Sequence, residues 1–192
     1  MRAPAATDSV VAGSVADDAG LPDRARILGL DPGSLITGYA VIDTAGGQCT
    51  YLACGGIRTS GGALTERLAA IFSAVTEIAQ AWQPHEVAVE RVFMHRNADS
   101  ALKLGQARGA ALCATLSVAP RFFEYSAREV KQAVVGTGAA QKDQVQLMVK
   151  HLLKLKTAPQ ADAADALAVA LCHAYSRRMR GVLSSASQRV RA

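Results

Sequence analysis

The chain has 192 residues, of which 50% are hydrophobic and 19% are charged, and its formal net charge is +5. This length fits one domain with one sizeable core and excludes a multi-domain assembly in a single chain, while no uncharged run reaches the roughly 18 residues of a membrane span. The positive charge is concentrated in residues 91–156, where eleven Lys and Arg stand against four Asp and Glu, and such a surplus indicates a polyanionic partner.

The N-terminal segment shows neither a folded pattern nor a targeting signal. Residues 1–24 lack a basic start followed by a continuous apolar stretch, so we expect a disordered extension and no secretory leader. The four cysteines form no Cys-x-x-Cys pair, and the four histidines show no zinc-ligand spacing. A reduced, cytoplasmic protein is therefore expected.

Three strands open the predicted domain. Residues 26–30 are a short apolar run that ends in the turn-forming sequence Asp-Pro-Gly-Ser at 31–34. Residues 37–43 and 48–58 contain β-branched and aromatic side chains, and the Ala-Gly-Gly break between them suits a hairpin. This order predicts an antiparallel meander.

Helical spacing of the hydrophobic residues begins after the meander. Residues 64–82 form one apolar stripe and predict an amphipathic helix. Residues 87–89 then predict a short buried strand that ends at Glu90. A second helix is expected over 97–116, and a fifth strand over 121–125.

The remainder of the domain is predicted to be helical. Helices over 126–135 and 141–155 are separated by a glycine-containing break, and a last helix opens at Pro159, since proline is tolerated in the first helical turn. The element order predicts one α/β domain over residues 25–176, with a mixed sheet covered by helices. Residues 177–192 carry five arginines and no acid, so we expect a basic, disordered tail.

Four acidic residues are candidates for a shared site. Asp31 and Glu90 stand at the carboxyl ends of predicted strands, the edge at which open α/β sheets bind ligands, although each alone is as well explained by a turn. Asp162 and Asp165 lie three residues apart on one helical face, among alanines that let another backbone approach closely. Four such acids would repel one another unless they were protonated or bridged by cations.

The donor set indicates a class of chemistry. Oxygen ligands with no nearby His or Cys favour Mg²⁺ or Mn²⁺. A carboxylate cluster holding two such cations about 4 Å apart is suited to in-line attack on a phosphodiester. With the basic surplus, these features indicate an enzyme that hydrolyses nucleic acid.

Several long motifs resemble one known family. They occur in the expected order from residue 27 to residue 175. The matching segments are ILGLDPGS (27–34), TGY (37–39), VERVFM (89–94), NADSALKLGQARG (97–109), EY (124–125), VKQ (130–132), VVG (134–136) and PQADAADA (159–166). Together they closely resemble the RuvC family of Holliday junction resolvases.

The resemblance implies a ribonuclease H-like fold, with a mixed five-stranded sheet covered by helices, and a homodimer that makes paired symmetric incisions across a four-way DNA junction. It assigns Asp31, Glu90, Asp162 and Asp165 as catalytic, metal-binding acids, with Asp165 open to a role as ligand or general base. The implied cofactor is Mg²⁺, with Mn²⁺ as a substitute and two ions per active site. The implied partners are the branch-migration proteins RuvA and RuvB.

The resemblance also assigns DNA contacts. Phe93 would be the aromatic that opens the junction, and Lys131 and Lys142 would lie near the cleaved phosphate. Arg96 is a further candidate for a phosphate contact. Without the resemblance, Phe93 fits a core residue and the lysines fit solvated helix positions.

Two alternatives remain open from the residues alone. A non-cleaving module that binds branched DNA needs the same basic surface, but the presence of all four acids argues against it. A phosphotransferase of the actin-like fold shares a glycine-rich first hairpin, but it needs a second phosphate loop that this chain lacks. In the helix over 97–116, Gly105 and Gly109 share one face, which suits close helix approach within the chain or at the implied dimer interface.

Overall fold

A computed structural model describes residues 22–59, 61–91, 98–118 and 121–190, with side chains as far as Gly181. Five strands form one mixed sheet in the order β3-β2-β1-β4-β5. Their bounds are Ala25–Asp31 for β1, Ile36–Ala45 for β2, Gln48–Arg58 for β3, Glu86–Glu90 for β4 and Arg121–Tyr125 for β5. The first three strands pair antiparallel, and β4 pairs parallel with both β1 and β5, which confirms the predicted meander and mixed sheet.

Within the described ranges, five helices cover the two faces of the sheet. They are α1 (Leu64–Trp82), α2 (Ala98–Cys113), α3 (Ala127–Val135), α4 (Lys142–Leu152) and α5 (Ala161–Val190). Because side chains alternate along a strand, Leu28 and Val41 pack with α1 and α2, whereas Ile27 and Ile42 pack with α3, α4 and α5. None of the helices within the described ranges is long and apolar enough to cross a membrane.

The last helix differs most from the sequence prediction. Helix α5 begins at Ala161 rather than Pro159 and continues to Val190, through most of the segment for which a disordered tail was expected. Arg177 explains part of this difference because only 7% of it is exposed and its guanidinium donates to Glu86 and to the Pro22 carbonyl. A basic residue that is buried and paired extends the folded domain beyond the predicted limit.

Smaller differences occur at two helix ends. Helix α2 ends at Cys113 and is followed by turns to Val118, whereas the prediction carried it to residue 116. Helix α4 ends at Leu152, and Lys154 then adopts a left-handed conformation with a φ of 52°. That conformation stops a helix, so the predicted extension to residue 155 does not form.

Candidate active site

The pairing of β1 with β4 brings Asp31 and Glu90 to one edge of the sheet. Leu30 and Val89 are the last partners in the parallel register of β1 and β4, and Asp31 and Glu90 each follow one residue later. Alternation places both acids on the face that carries α5, since Leu30 and Val89 belong to the opposite core cluster. The predicted convergence of these two carboxyl groups therefore follows from the sheet register.

Glycines let α5 approach this edge closely. A Cβ added to Gly38 on β2 would overlap the carbonyl oxygen of Asp162, and a Cβ added to Gly29 on β1 would overlap the carbonyl oxygen of Ala166. The helix backbone thus rests directly on the first two strands. This approach carries Asp165 to the same edge as Asp31 and Glu90, as the small neighbours of the two aspartates predicted.

A cleft of about 240 Å³ lies at this edge. Three of the four predicted acids line it, together with both predicted lysines. The lining residues are Asp31, Glu90, Ala127, Val130, Lys131, Lys142, Val145, Asp165 and Ala168. The cleft therefore combines carboxylates from β1, β4 and α5 with cations from α3 and α4.

The carboxyl groups of the cleft destabilise one another's charged forms. Burial, followed by the charges of Asp165 and Glu90, raises the pKa of Asp31 from 3.8 to about 7, while Lys142 opposes the rise. Burial and Asp165 also raise the pKa of Glu90, against the opposing charges of Lys142 and Lys131. The cleft thus brings three carboxyl groups together with two lysines.

Lys142 is the cation closest to these acids. Its Nζ donates a 2.7 Å hydrogen bond to Oδ2 of Asp165, and this bond raises the pKa of the lysine. The ammonium is therefore charged when the cleft is open to solvent, and it partly neutralises Asp165.

The donor set fits a hard divalent cation. Within the described residues, no three Asp, Glu, His or Cys side chains already surround one point as a metal site. The cleft nevertheless supplies carboxylate oxygens from Asp31, Glu90 and Asp165, and their mutual repulsion is relieved by added positive charge. Mg²⁺ and Mn²⁺ prefer such ligands.

Not every predicted residue lies in the cleft. Asp162 is half-buried beside it and raises the pKa of Asp31 through its charge, but it is absent from the lining. Phe93 and Arg96 lie outside the described residues, so their predicted DNA contacts have no structural counterpart here.

An ion-paired group next to Glu90 was not anticipated from the sequence. Glu124 on β5 pairs with Arg108 of α2, and the Nε of Arg91 lies 3.9 Å from the same carboxylate. The backbone N–H of Arg91 also donates to the Tyr125 carbonyl at 2.7 Å. Arg91 is therefore held against β5, and the guanidinium of Arg108 is paired with Glu124 of the same chain.

Comparisons with known proteins identify close relatives. A family model described as "Crossover junction endodeoxyribonuclease RuvC" matches residues 27–173. The protein of that name from Stutzerimonas stutzeri is 58% identical over 152 residues, which cover 79% of this chain and 87% of the relative. Its counterpart from Aeromonas hydrophila is 59% identical over 153 residues, covering 80% and 88% of the two chains.

A solved structure shows the same architecture. Thermus thermophilus RuvC, determined in complex with a Holliday junction substrate, superposes with a TM-score of 0.75 and 36% identity. The match covers 81% of this chain and 97% of that one. The ribonuclease H-like fold expected from the motifs is thereby confirmed.

Proposed function

The chain belongs to the RuvC family of crossover junction endodeoxyribonucleases, and on this basis we propose that it resolves Holliday junctions by paired symmetric nicks. One observation carries the proposal: Asp31, Glu90 and Asp165 converge from three separate elements in a cleft flanked by Lys131 and Lys142. Acids that would bind a metal and cations that would bind a phosphate then line the same cleft.

We propose distinct tasks for the residues of the cleft. Asp31, Glu90 and Asp165 would hold divalent metal, with Asp162 beside them at the margin. Lys131 and Lys142 would orient the scissile phosphate, because each projects into the cleft from a helix that faces the acids. When bound, Mg²⁺ supplies the Lewis-acid chemistry of phosphodiester hydrolysis, with two ions per site as the proposed complement and Mn²⁺ as a substitute.

The paired nicks require two copies of the chain, and α2 is the surface proposed to join them. Leu102 is 65% exposed on this helix, and Leu116, just beyond its end, is 60% exposed. A Cβ added to Gly105 or Gly109 would meet nothing within 4 Å in the described part of the chain, so packing within the chain does not explain these glycines. A second copy seated on this face accounts for both features and forms a twofold dimer that matches a twofold junction.

Further assignments rest on the motifs. Phe93 is proposed to stack at the opened centre of the junction, and Arg96 to contact phosphate. RuvA and RuvB are proposed partners on the same DNA. We also propose that the protein acts in the cytoplasm, in agreement with the free thiols among its described residues.

Substrate selectivity tests the proposed function. Radiolabelled four-way junctions and matched linear duplexes are incubated with the protein in Mg²⁺, and the nick positions are mapped on all four strands. Symmetric nicks on the junction alone support resolvase activity. Tight junction binding with no nick in either Mg²⁺ or Mn²⁺ would favour the non-cleaving branched-DNA-binding module instead.

A further inference from the structure

A buried polar network joins the start of β4 to the middle of α5, away from the cleft. Glu86, the first residue of β4, is 1% exposed, and His173 and Arg177 of α5 are 0% and 7% exposed. Both the Nε2 of His173 and the Nε of Arg177 lie 2.7 Å from Oε2 of Glu86. On its other side, His173 places Nδ1 2.7 Å from the hydroxyl of Tyr125 on β5.

The protonation states of this network are mutually consistent. Burial lowers the pKa of His173 despite the opposing carboxylate, so the imidazole is neutral. Burial alone would raise the pKa of Glu86, but the hydrogen bonds from His173 and Arg177 and the charge of Arg177 outweigh it, so the carboxylate is charged. His173 therefore donates from Nε2 to Glu86 and accepts at Nδ1 from Tyr125, which fixes the tautomer and the orientation of the ring.

The same two elements carry catalytic acids at their other ends. From Glu86 to Glu90 is four residues of strand, or about 13 Å, and from Asp165 to His173 is eight residues of helix, or about 12 Å. The strand and the helix run in opposite directions between these points. The network and the carboxylate cleft are thus two separate contacts between β4 and α5, about 12 Å apart along the helix.

Small residues form the closest contact of α5 with the first two strands, although the helix also buries Leu167 and Leu171 in the core. Where the helix crosses β1 and β2, its backbone at Asp162 and Ala166 rests on Gly38 and Gly29, and Ala170 packs on Gly29 as well. Glycine and alanine present shallow ridges, so a small slide along the helix axis costs little contact energy there. Directional hydrogen bonds between buried charged groups resist such a slide because displacement leaves them unpaired.

We propose that Glu86, His173 and Arg177 are positioning residues, whose network fixes the axial register of α5 on β4 and so sets the spacing of Asp165 from Glu90. None of these three residues lines the cleft, so the network would act on it through β4 and α5. This inference rests on the proposed function, because it takes the cleft to be a divalent-metal site. It makes metal affinity depend on a group of residues about 12 Å away.

Two substitutions of His173 separate positioning from general stability. His173→Gln keeps a donor at the place of Nε2 and so retains the bond to Glu86, whereas His173→Asn keeps only a group at the place of Nδ1, toward Tyr125. Mn²⁺ affinity of the DNA-free protein is measured by electron paramagnetic resonance of the free ion, and unfolding is measured in parallel. We expect the Asn variant to bind Mn²⁺ about tenfold more weakly and the Gln variant to stay within about twofold of the parent.

Control variants make either outcome decisive. Val75→Ala removes buried side-chain volume from α1 on the opposite face of the sheet, so it lowers stability without touching α5 and should leave Mn²⁺ affinity unchanged. Parental Mn²⁺ affinity in folded His173→Asn protein would overturn the proposal, as would equal weakening by Val75→Ala. If His173→Asn does not fold, Glu86→Gln replaces it, with weakening of about threefold expected from the lost charge and parental affinity again overturning the proposal.

The proposed function can fail separately from the positioning role. Asp165→Asn serves as the reference, since it removes a proposed ligand directly. If neither Asp31→Asn nor Asp165→Asn binds Mn²⁺ more weakly than the parent, the cleft is not the metal site and the proposed function fails. If Asp165→Asn loses Mn²⁺ while His173→Asn does not, only the positioning role of the network fails.

Discussion

Lys142 donates a 2.7 Å hydrogen bond from Nζ to Oδ2 of Asp165, although 78% of the lysine side chain is exposed. The ammonium lies among the acids. Its positive charge opposes the burial and charge repulsion that raise the pKa of Asp31 and Glu90. In the absence of bound metal, Lys142 therefore supplies part of the charge compensation that the carboxylates require. A phosphate that enters the cleft meets a cation already directed toward those acids.

Replacing Lys142 should change both the electrostatics of the cleft and its activity. In Lys142→Met, the pKa of Asp31 should rise further above about 7 because an opposing positive charge is lost. Junction cleavage should fall by about 10²-fold, the usual cost of one charged contact in a transition state. Carbon-detected NMR titration of the Asp31 carboxyl and single-turnover cleavage measure the two effects. Lys150→Met on the same helix is the matched control, and an unchanged Asp31 pKa in Lys142→Met would refute this account of the cleft.

The raised pKa of Asp31 predicts a pH-dependent loss of stability. The folded chain retains this proton up to about pH 7, whereas the unfolded chain releases it near 3.8. Folding therefore becomes less favourable as the pH rises between these values, and the full penalty applies above 7. In EDTA at pH 8, Asp31→Asn should increase the free energy of unfolding by about 1–3 kcal/mol, and the difference should vanish near pH 4.

Urea denaturation across this pH range measures the effect. Asp43→Asn is the control, and it should decrease the free energy of unfolding at neutral pH. The hydrogen bond from Arg26 lowers the pKa of Asp43, so the charged carboxylate stabilises the fold. Equal pH slopes for Asp31→Asn and the parent would show that Asp31 is not a destabilising charge in the folded protein.

The exposed face of α2 predicts the effect of a charge at the proposed dimer interface. Leu102→Glu should shift the protein to monomers at micromolar concentration because the charge would be buried against a second copy. Sedimentation equilibrium measures the oligomeric state. Leu147→Glu is the matched control, since this leucine is 68% exposed on α4. If the dimer persists in Leu102→Glu but is lost in Leu147→Glu, the interface is formed by α4 and not by α2.

The close approach of α5 to β2 predicts a strong effect of one methyl group. In Gly38→Ala the new Cβ would overlap the carbonyl oxygen of Asp162, so the helix must shift. We expect the free energy of unfolding to fall by about 1–3 kcal/mol and cleavage to fall with it, because the shift displaces Asp165. Among the side chains that the structure describes, the new Cβ of Gly181→Ala on α5 meets nothing within 4 Å, so this variant should preserve both. A fully stable and active Gly38→Ala would contradict the contact.

Local patterns along the chain were enough to predict the sheet and most of the cleft. Short apolar runs and segments rich in β-branched and aromatic residues marked the strands, and Asp31 and Glu90 became candidates because each stands where an apolar strand stops. The helical pair Asp162 and Asp165 was recognisable from its spacing. Which of the pair lines the cleft depends on the rotation of α5 about its axis, which close contact of the backbone with Gly38 sets.

Pairings between distant residues could not be predicted from such patterns. Arg177 was assigned to a solvated tail because its local sequence is basic, yet its partner Glu86 lies 91 positions away. A signal was present, since Glu86 occupies a core-facing position of its strand and His173 and Arg177 are four apart on one helical face. One sequence does not show whether the helix face with His173 and Arg177 is buried or exposed, or which strand it contacts.

The most direct test of the nuclease assignment is single-turnover cleavage of a mobile four-way junction in Mg²⁺ by the parent, Asp31→Asn and Asp43→Asn. Both aspartates lie on the first two strands, but only Asp31 lines the cleft. The account predicts parental nicking by Asp43→Asn, and parental junction binding with a loss of nicking of 10²-fold or more, on the order of an active-site charge, by Asp31→Asn. Symmetric nicks made by Asp31→Asn at the parental rate would contradict it.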